Sequence, residues 1–164
     1  MSGHRQVASV TRLISFKVTQ KNKMYDSSNV FARILRSEIP CFKVFENEHV
    51  LAFLDAFPVT PGHTLVIPKV TGYTDAFDLP EEAAAQLGAA LSKVCRAVKK
   101  ATGCEAVNIL QNCGAASGQV VPHPHFHIVP RVAGDHLIKL ASSSKTMLLP
   151  EIGNPMAEKI RAAL

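Results

Sequence analysis

The stretch Val121–Arg131 reads VPHPHFHIVPR, with histidines at every second position: His123, His125 and His127. Pro124, Phe126 and Ile128 fill the alternate places, and a period of two belongs to a strand with one polar and one apolar face. Same-face residues on a strand lie about 6.6 Å apart, so the outer rings of such a row are about 13 Å apart. The spacing therefore predicts a strand over Val121–Pro130 that carries three imidazoles on one face.

Working outward, SNVFARILRSE predicts a helix with Ser28 or Asn29 as its cap, Phe31, Ile34 and Leu35 as its apolar stripe, and Pro40 beyond its end. KVFE and HVLAFLD, separated by Asn47 and Glu48, read as a hairpin, and HTLVIPK as a third strand. The segment DLPEEAAAQLGAALSKVCRAVKKATG carries the marks of a long helix. Pro80 lies in the first turn, Glu81 and Glu82 at the positive end of the dipole, Lys99 and Lys100 at the negative end, and Gly103 at the stop. EAVNIL adds a strand, and NPMAEKIRAAL a closing helix capped by Asn154, with Pro155 next to it. Strands in hairpin-like units with two main helices predict an α+β fold around an antiparallel sheet of about five strands.

A chain of 164 residues, 47% of them hydrophobic, suits one compact domain with a single core. No apolar run approaches the length of a membrane span, so no membrane partner is expected. Cys41, Cys95, Cys104 and Cys113 show no CxxC spacing and read as reduced thiols of an intracellular protein. The net charge of +5 resides in one place. Arg5, Arg12, Lys17, Lys21 and Lys23 are unopposed by any acid within residues 1–25, whereas the remainder balances 13 basic against 13 acidic residues. The folded part thus lacks a basic stripe for a polyphosphate backbone, and no nucleic-acid partner is expected. The first 25 residues, with Val7, Val10, Ile14 and Val18 on one helical side, admit three readings: an organellar transit peptide, a disordered extension, or a stretch upstream of a true start at Met24. The expected compartment is the cytoplasm, or the mitochondrion if residues 1–23 are a transit peptide.

Three readings compete for the histidine row. The rings could line a solvated strand face. They could bind zinc, with His63 as a further ligand, but metal–nitrogen distances of about 2.0–2.1 Å are not met by rings spread over about 13 Å unless the strand bends. The third reading is phosphorus chemistry: the attacking and leaving atoms of a phosphate ester are themselves in line, so a row of rings can divide the labour. A neutral imidazole attacks phosphorus if an acceptor holds its other nitrogen, and a second imidazole, near its protonation midpoint at neutral pH, protonates the leaving group. NCGAASGQVV, just upstream, offers backbone N–H groups and the Asn112 and Gln119 amides to phosphoryl oxygens, with Gly114 and Gly118 allowing close approach.

The run GQVVPHPHFHIVPR resembles the signature of the histidine-triad (HIT) superfamily, and VFARILRSEIP, VLAFLDAFPVTPGHTLVIPK and the Asn112–Gln119 loop resemble its other segments in the same order. Asp55 and Asn112 are more similar to the Hint branch of nucleotide-binding phosphoramidases than to the dinucleoside polyphosphate hydrolases. The resemblance implies a HIT domain over 26–131, between a basic tail at 1–25 and a C-terminal extension at 132–164 that ends in a short helix. It implies that His125 is the nucleophile, that the His123 carbonyl fixes its tautomer, that His127 serves the leaving group and that His63 buttresses the row. Asp55 would accept from the ribose, and Phe31, Ile34, Ile39, Phe53 and Leu54 would line a base pocket, core packing being the other reading of the apolar residues. Asn112, Gly118, Gln119 and Val120 would meet the phosphate. The implied substrate is a purine nucleotide carried on a P–N or related bond; a dinucleoside polyphosphate hydrolase and a nucleotide-binding scaffold are the alternatives. No metal or cofactor is implied. A homodimer is, with the Ala-rich helix from Pro80 to Thr102, around Gly88, pairing with its copy and EAVNIL extending the sheet across the two-fold axis.

Three departures stand out. Val120 occupies a place where many Hint-like sequences carry Ser or Thr, so only its backbone N–H remains as a donor. The HPH text is also similar to galactose-1-phosphate uridylyltransferase, but His127 stands where that relative has Gln, which favours hydrolysis. The chain has no tryptophan to supply the carboxy-terminal indole of some Hint relatives.

Overall fold

The computed structural model describes residues 24–137 and 147–164; the tail readings for residues 1–23 lie outside the described residues. Five strands, β1 (Lys43–Glu46), β2 (Val50–Leu54), β3 (Thr64–Pro68), β4 (Ala106–Leu110) and β5 (Phe126–Arg131), form one sheet in the order β1-β2-β3-β5-β4, antiparallel at every pairing. Helices α1 (Val30–Leu35), α2 (Glu81–Thr102) and α3 (Pro150–Arg161) complete an α+β fold.

The alternation of side chains along the central strands sorts them onto two faces. Val50, Ala52, Val66 and Ile128 pack against Leu87, Ala90, Val94 and Val98 of α2. Leu51, Phe53, Leu65 and Ile67 point the other way and pack with Phe31 of α1. Because both faces are covered, β2 and β3 read as nearly continuous apolar runs rather than as alternating ones. Ile128 belongs to the α2 face, so its neighbour His127 projects toward α1, opposite Leu65 on β3 and Leu110 on β4.

The helix ends follow the local chemistry. Asn29 caps α1 by accepting from the Phe31 and Ala32 N–H groups, and Gly103 closes α2 at φ 68°. No helix among the described residues is long and apolar enough to cross a membrane. All four cysteines are unbridged.

Three elements differ from expectation. The β1–β2 turn takes three residues, because the Asn47 side chain accepts from both the His49 and the Val50 N–H. The last long strand begins at Phe126 rather than Val121: Pro122 and Pro124 have no N–H to give a ladder, so the histidine row enters the sheet only at its end. Helix α3 starts at Pro150, four residues before Asn154; Pro150 fits the first helical position, where an N–H has no partner to lose, and Pro155 lies inside the helix.

The loop from Asp55 to His63 returns to β3 through Gly62, at φ +86°. A Cβ there would lie 2.5 Å from Thr102 Cγ2, so the loop seats against the end of α2 only with glycine. Gly62→Ala combines left-handed backbone strain with overpacking and should lower unfolding free energy by about 2–4 kcal/mol in urea titrations. Adding Thr102→Ser, which removes Cγ2 but keeps the hydroxyl bonded to the Val98 carbonyl, should recover part of that loss. A Gly62→Ala protein within about 0.5 kcal/mol of the parent would contradict this packing.

Candidate active site

The position of the central histidine is set by its own neighbour. His125 Nδ1 lies 2.7 Å from the His123 carbonyl oxygen, which can only accept; the proton is therefore on Nδ1 and the Nε2 lone pair is free. The ring is only 5% exposed and is held edge-on by Phe31, with centroids 5.0 Å apart, and by His127, also at 5.0 Å.

His123 does not share the open face with the other two. Its ring is fully buried, with Nε2 3.1 Å from the Pro68 carbonyl and Nδ1 2.8 Å from the Tyr25 hydroxyl. Only His125 and His127 border the cavity, so the picture of three rings in one exposed row is corrected to two rings in front and one behind. The prolines on either side of His123 take the segment out of regular strand geometry and let its ring turn inward.

His63, from the start of β3, supports His127: its Nε2 is 3.0 Å from His127 Nδ1. The Val59 N–H points at His63 Nδ1 from 3.4 Å, and the Asp55 carboxylate lies 3.5 Å from the same nitrogen without hydrogen-bond geometry. With Nδ1 accepting, the His63 proton sits on Nε2 and is donated to His127, which leaves the His127 proton on Nε2, facing the cavity.

Burial pushes all four imidazoles below their ordinary pKa. His125 is lowered by desolvation, offset by the bond to the His123 carbonyl and by the Asp55 charge; His63 is lowered by burial against the same charge. His123 and His127 are each lowered to about 4, in His127 by burial and then by the neighbouring His125 and His63. The expectation that His127 sits near its midpoint at neutral pH is thus corrected: without a bound anion it is neutral.

A cavity of about 460 Å³ opens in front of the two rings. Phe31, Ile34, Ile39, Phe53 and Leu54 line it, as does Asp55. Phe31 and Phe53 are at the same time core residues, so the core and pocket readings both hold for them. The cavity also meets the glycine loop at Asn112, Gly118 and Val120. Val120 is 89% exposed, and among the described residues its N–H has no protein acceptor. Asn112 Nδ2 is 3.4 Å from the Gly118 carbonyl. Gln119 is different: its Nε2 donates to the Thr74 and Val121 carbonyls and its Oε1 accepts from the Gly114 N–H, so the amide holds the loop in shape instead of facing phosphate.

Sequence reasoning missed Tyr25, which composition grouped with the basic tail, and Cys41, Phe42 and Phe57, which also border the cavity. Hydrophobic periodicity gives no signal for a loop aromatic such as Phe57, and none for a contact spanning 98 residues such as Tyr25 to His123.

Asp55, His63 and His127 bring potential metal-ligand atoms within 4.8 Å of one another. His63 Nε2 and His127 Nδ1 are hydrogen-bonded to each other, so a cation taking either of those nitrogens would have to break that pair.

Comparison with known proteins follows the same outline. The HIT domain model matches residues 36–134. An adenylylsulfatase of Arabidopsis thaliana is 41% identical over 108 residues, which cover 66% of this chain and 54% of that protein. An adenosine 5′-monophosphoramidase of Saccharomyces cerevisiae is 38% identical over 106 residues, 65% of this chain and 64% of that one. A crystal structure of a HIT family protein from Bacillus anthracis superposes with a TM-score of 0.79 at 36% identity, covering 85% of this chain and 99% of the other. The matched residues contain the buried His125, its carbonyl partner and the glycine loop, and this chain belongs to the HIT family.

Proposed function

We propose that this protein hydrolyses a nucleoside 5′-phosphoramidate, or a related adenylated or guanylated compound, and releases a purine nucleoside monophosphate. The observation that carries the reading is the 2.7 Å bond from His125 to the His123 carbonyl, which turns an unprotonated Nε2 toward a nucleotide-sized cavity. The names of the yeast and plant relatives, a phosphoramidase and an adenylylsulfatase, support hydrolysis of an adenylated compound.

In this mechanism His127 is the imidazolium in the substrate complex, its Nδ1–H donated to His63 Nε2 as His63 takes its own proton on Nδ1 beside Asp55; His125 Nε2 forms a bond to phosphorus as the P–N bond breaks, and His127 gives its Nε2 proton to the departing nitrogen and is left neutral. The phosphoryl anion between the rings opposes the depression of the His127 pKa and raises it toward neutrality, so the proton is available when substrate is bound. A water then yields a proton to His127 and attacks phosphorus, freeing His125 and the nucleotide. The Val120 N–H and the Asn112 amide stabilise phosphoryl charge, and Asp55 accepts from the ribose hydroxyls with the oxygen not bonded to the Phe57 N–H. We further propose a homodimer in which the outer edge of β4, last in the sheet order, extends the sheet into its copy.

Turnover of adenosine 5′-phosphoramidate, diadenosine polyphosphate and guanosine analogues tests the reading. The phosphoramidate is expected to have the highest kcat/KM, and His125→Asn to lower kcat by several orders of magnitude with nucleotide affinity largely kept. Faster cleavage of the dinucleotide would favour the polyphosphate hydrolase; unaltered turnover in His125→Asn, or binding without turnover by the parent, would exclude this mechanism.

Asp55→Asn separates two roles of the carboxylate. Loss of a charge-assisted hydrogen bond, worth roughly 1.5–3 kcal/mol, should narrow the preference for ribo- over 2′-deoxynucleotides. Because the Asp55 charge raises His63, His125 and His127, its removal should also move the acid limb of kcat/KM, already below pH 6.5 in the parent, to still lower pH. Unchanged ribose preference would return Asp55 to a structural role.

A further inference from the structure

We propose that Tyr25 is a positioning residue for the nucleophile: its hydroxyl fixes His123, whose carbonyl in turn aims His125. The proposal rests on the nucleotidyl-transfer reading of His125 and extends it to a residue outside the HIT match at 36–134.

The argument begins with what the segment lacks. Residues 121–125 precede β5, and two of them, Pro122 and Pro124, have no N–H. Apart from the Val121 carbonyl, which accepts from the His123 N–H at 2.9 Å and from Gln119 Nε2 at 3.1 Å, the polar anchoring of the segment to the sheet comes from the side chain of His123. That ring has two anchors. Nε2 donates to the Pro68 carbonyl at 3.1 Å, because a carbonyl can only accept; Nδ1 is then the lone-pair nitrogen, and the Tyr25 O–H donates to it at 2.8 Å. Without Tyr25 one nitrogen of a fully buried ring would be left unpaired, and the ring would be free to pivot about the remaining bond to Pro68.

Any such pivot reaches His125 at once, because the acceptor that holds Nδ1–H is the His123 main-chain carbonyl itself. Tyr25 is in turn held at the right height. The Asn29 N–H donates to the Asp26 carbonyl at 3.1 Å and Asn29 Nδ2 donates to it at 2.7 Å, while Asn29 caps α1, whose Phe31 ring stands edge-on to both His123 and His125. The turn ahead of α1 and the triad thus form one hydrogen-bonded unit, although Tyr25 lies beside the basic run in sequence.

Tyr25→Phe, made in the full chain, removes one oxygen and keeps the ring. With adenosine 5′-phosphoramidate as substrate, kcat is expected to fall about five- to tenfold, the effect of one lost positioning hydrogen bond, with KM within about twofold. Nitrogen-15 NMR of the ligand-free protein is expected to show His125 wholly as the Nδ1–H tautomer in the parent and as a mixture in the variant. A kcat within twofold of the parent, or a fall in thermal stability with the His125 tautomer unchanged, would reduce Tyr25 to a structural clasp and overturn the proposal. If the parent fails to turn over any phosphoramidate, the reading of function fails, and the NMR comparison alone decides the role of Tyr25. Should Tyr25→Phe fail to fold, the parent spectrum decides: a His123 lone pair on Nε2 rather than Nδ1 would overturn the assignment.

Discussion

Everything chemical in this protein depends on one main-chain to side-chain contact, the His125 Nδ1–H donated to the carbonyl of His123. An imidazole in water exchanges its proton between two nitrogens and is protonated through much of the neutral range. Burial disfavours the charged form, the carbonyl acceptor fixes the tautomer, and the rings of Phe31 and His127 fix the orientation. Such an acceptor is available only because the chain before β5 is not paired in the sheet, so the prolines that spoil the strand also create the site.

The sheet converts this local arrangement into a binding site by giving its two faces different work. The face against α2 is closed core. The opposite face is core beneath α1 and cavity wall beyond it, and Phe31 and Phe53 serve as both. Stability and recognition therefore share residues, and a pocket substitution at either position would be felt in folding as well. The electrostatics divide in a similar way. Four imidazoles sit close together because burial disfavours their charged forms, and Asp55 supplies the nearby negative charge that holds the depression in check at His63, His125 and His127.

Much of this was legible in the sequence where a periodic or chemical signal existed. The strands at KVFE and HTLVIPK and the helix that ends at Gly103 follow from pattern and capping chemistry, whereas the apolar lining from Phe31 to Leu54 is legible only through the family resemblance. In sequence Asn154-Pro155 looks like the start of the closing helix, whereas the helix begins four residues earlier with Pro150 at its first position and no side-chain cap. The inward turn of His123 was hidden because a period of two says which face a residue shares, not whether a proline-flanked backbone will hold to it. Gln119 has the right chemistry for phosphate, but its amide is engaged by Thr74, 45 residues away, a contact that no local window contains. Composition places Tyr25 in the tail for the same reason, its partner His123 lying 98 residues away.

The central claim is that hydrolysis proceeds by two displacements at phosphorus, the first by His125. It is tested most directly by the stereochemical course. A phosphorothioate analogue of adenosine 5′-phosphoramidate, of single configuration at phosphorus, is hydrolysed in oxygen-18 water, and the configuration of the labelled product is read by phosphorus NMR. Two in-line displacements predict retention; inversion would mean that water attacks phosphorus directly and that His125 is not a nucleophile.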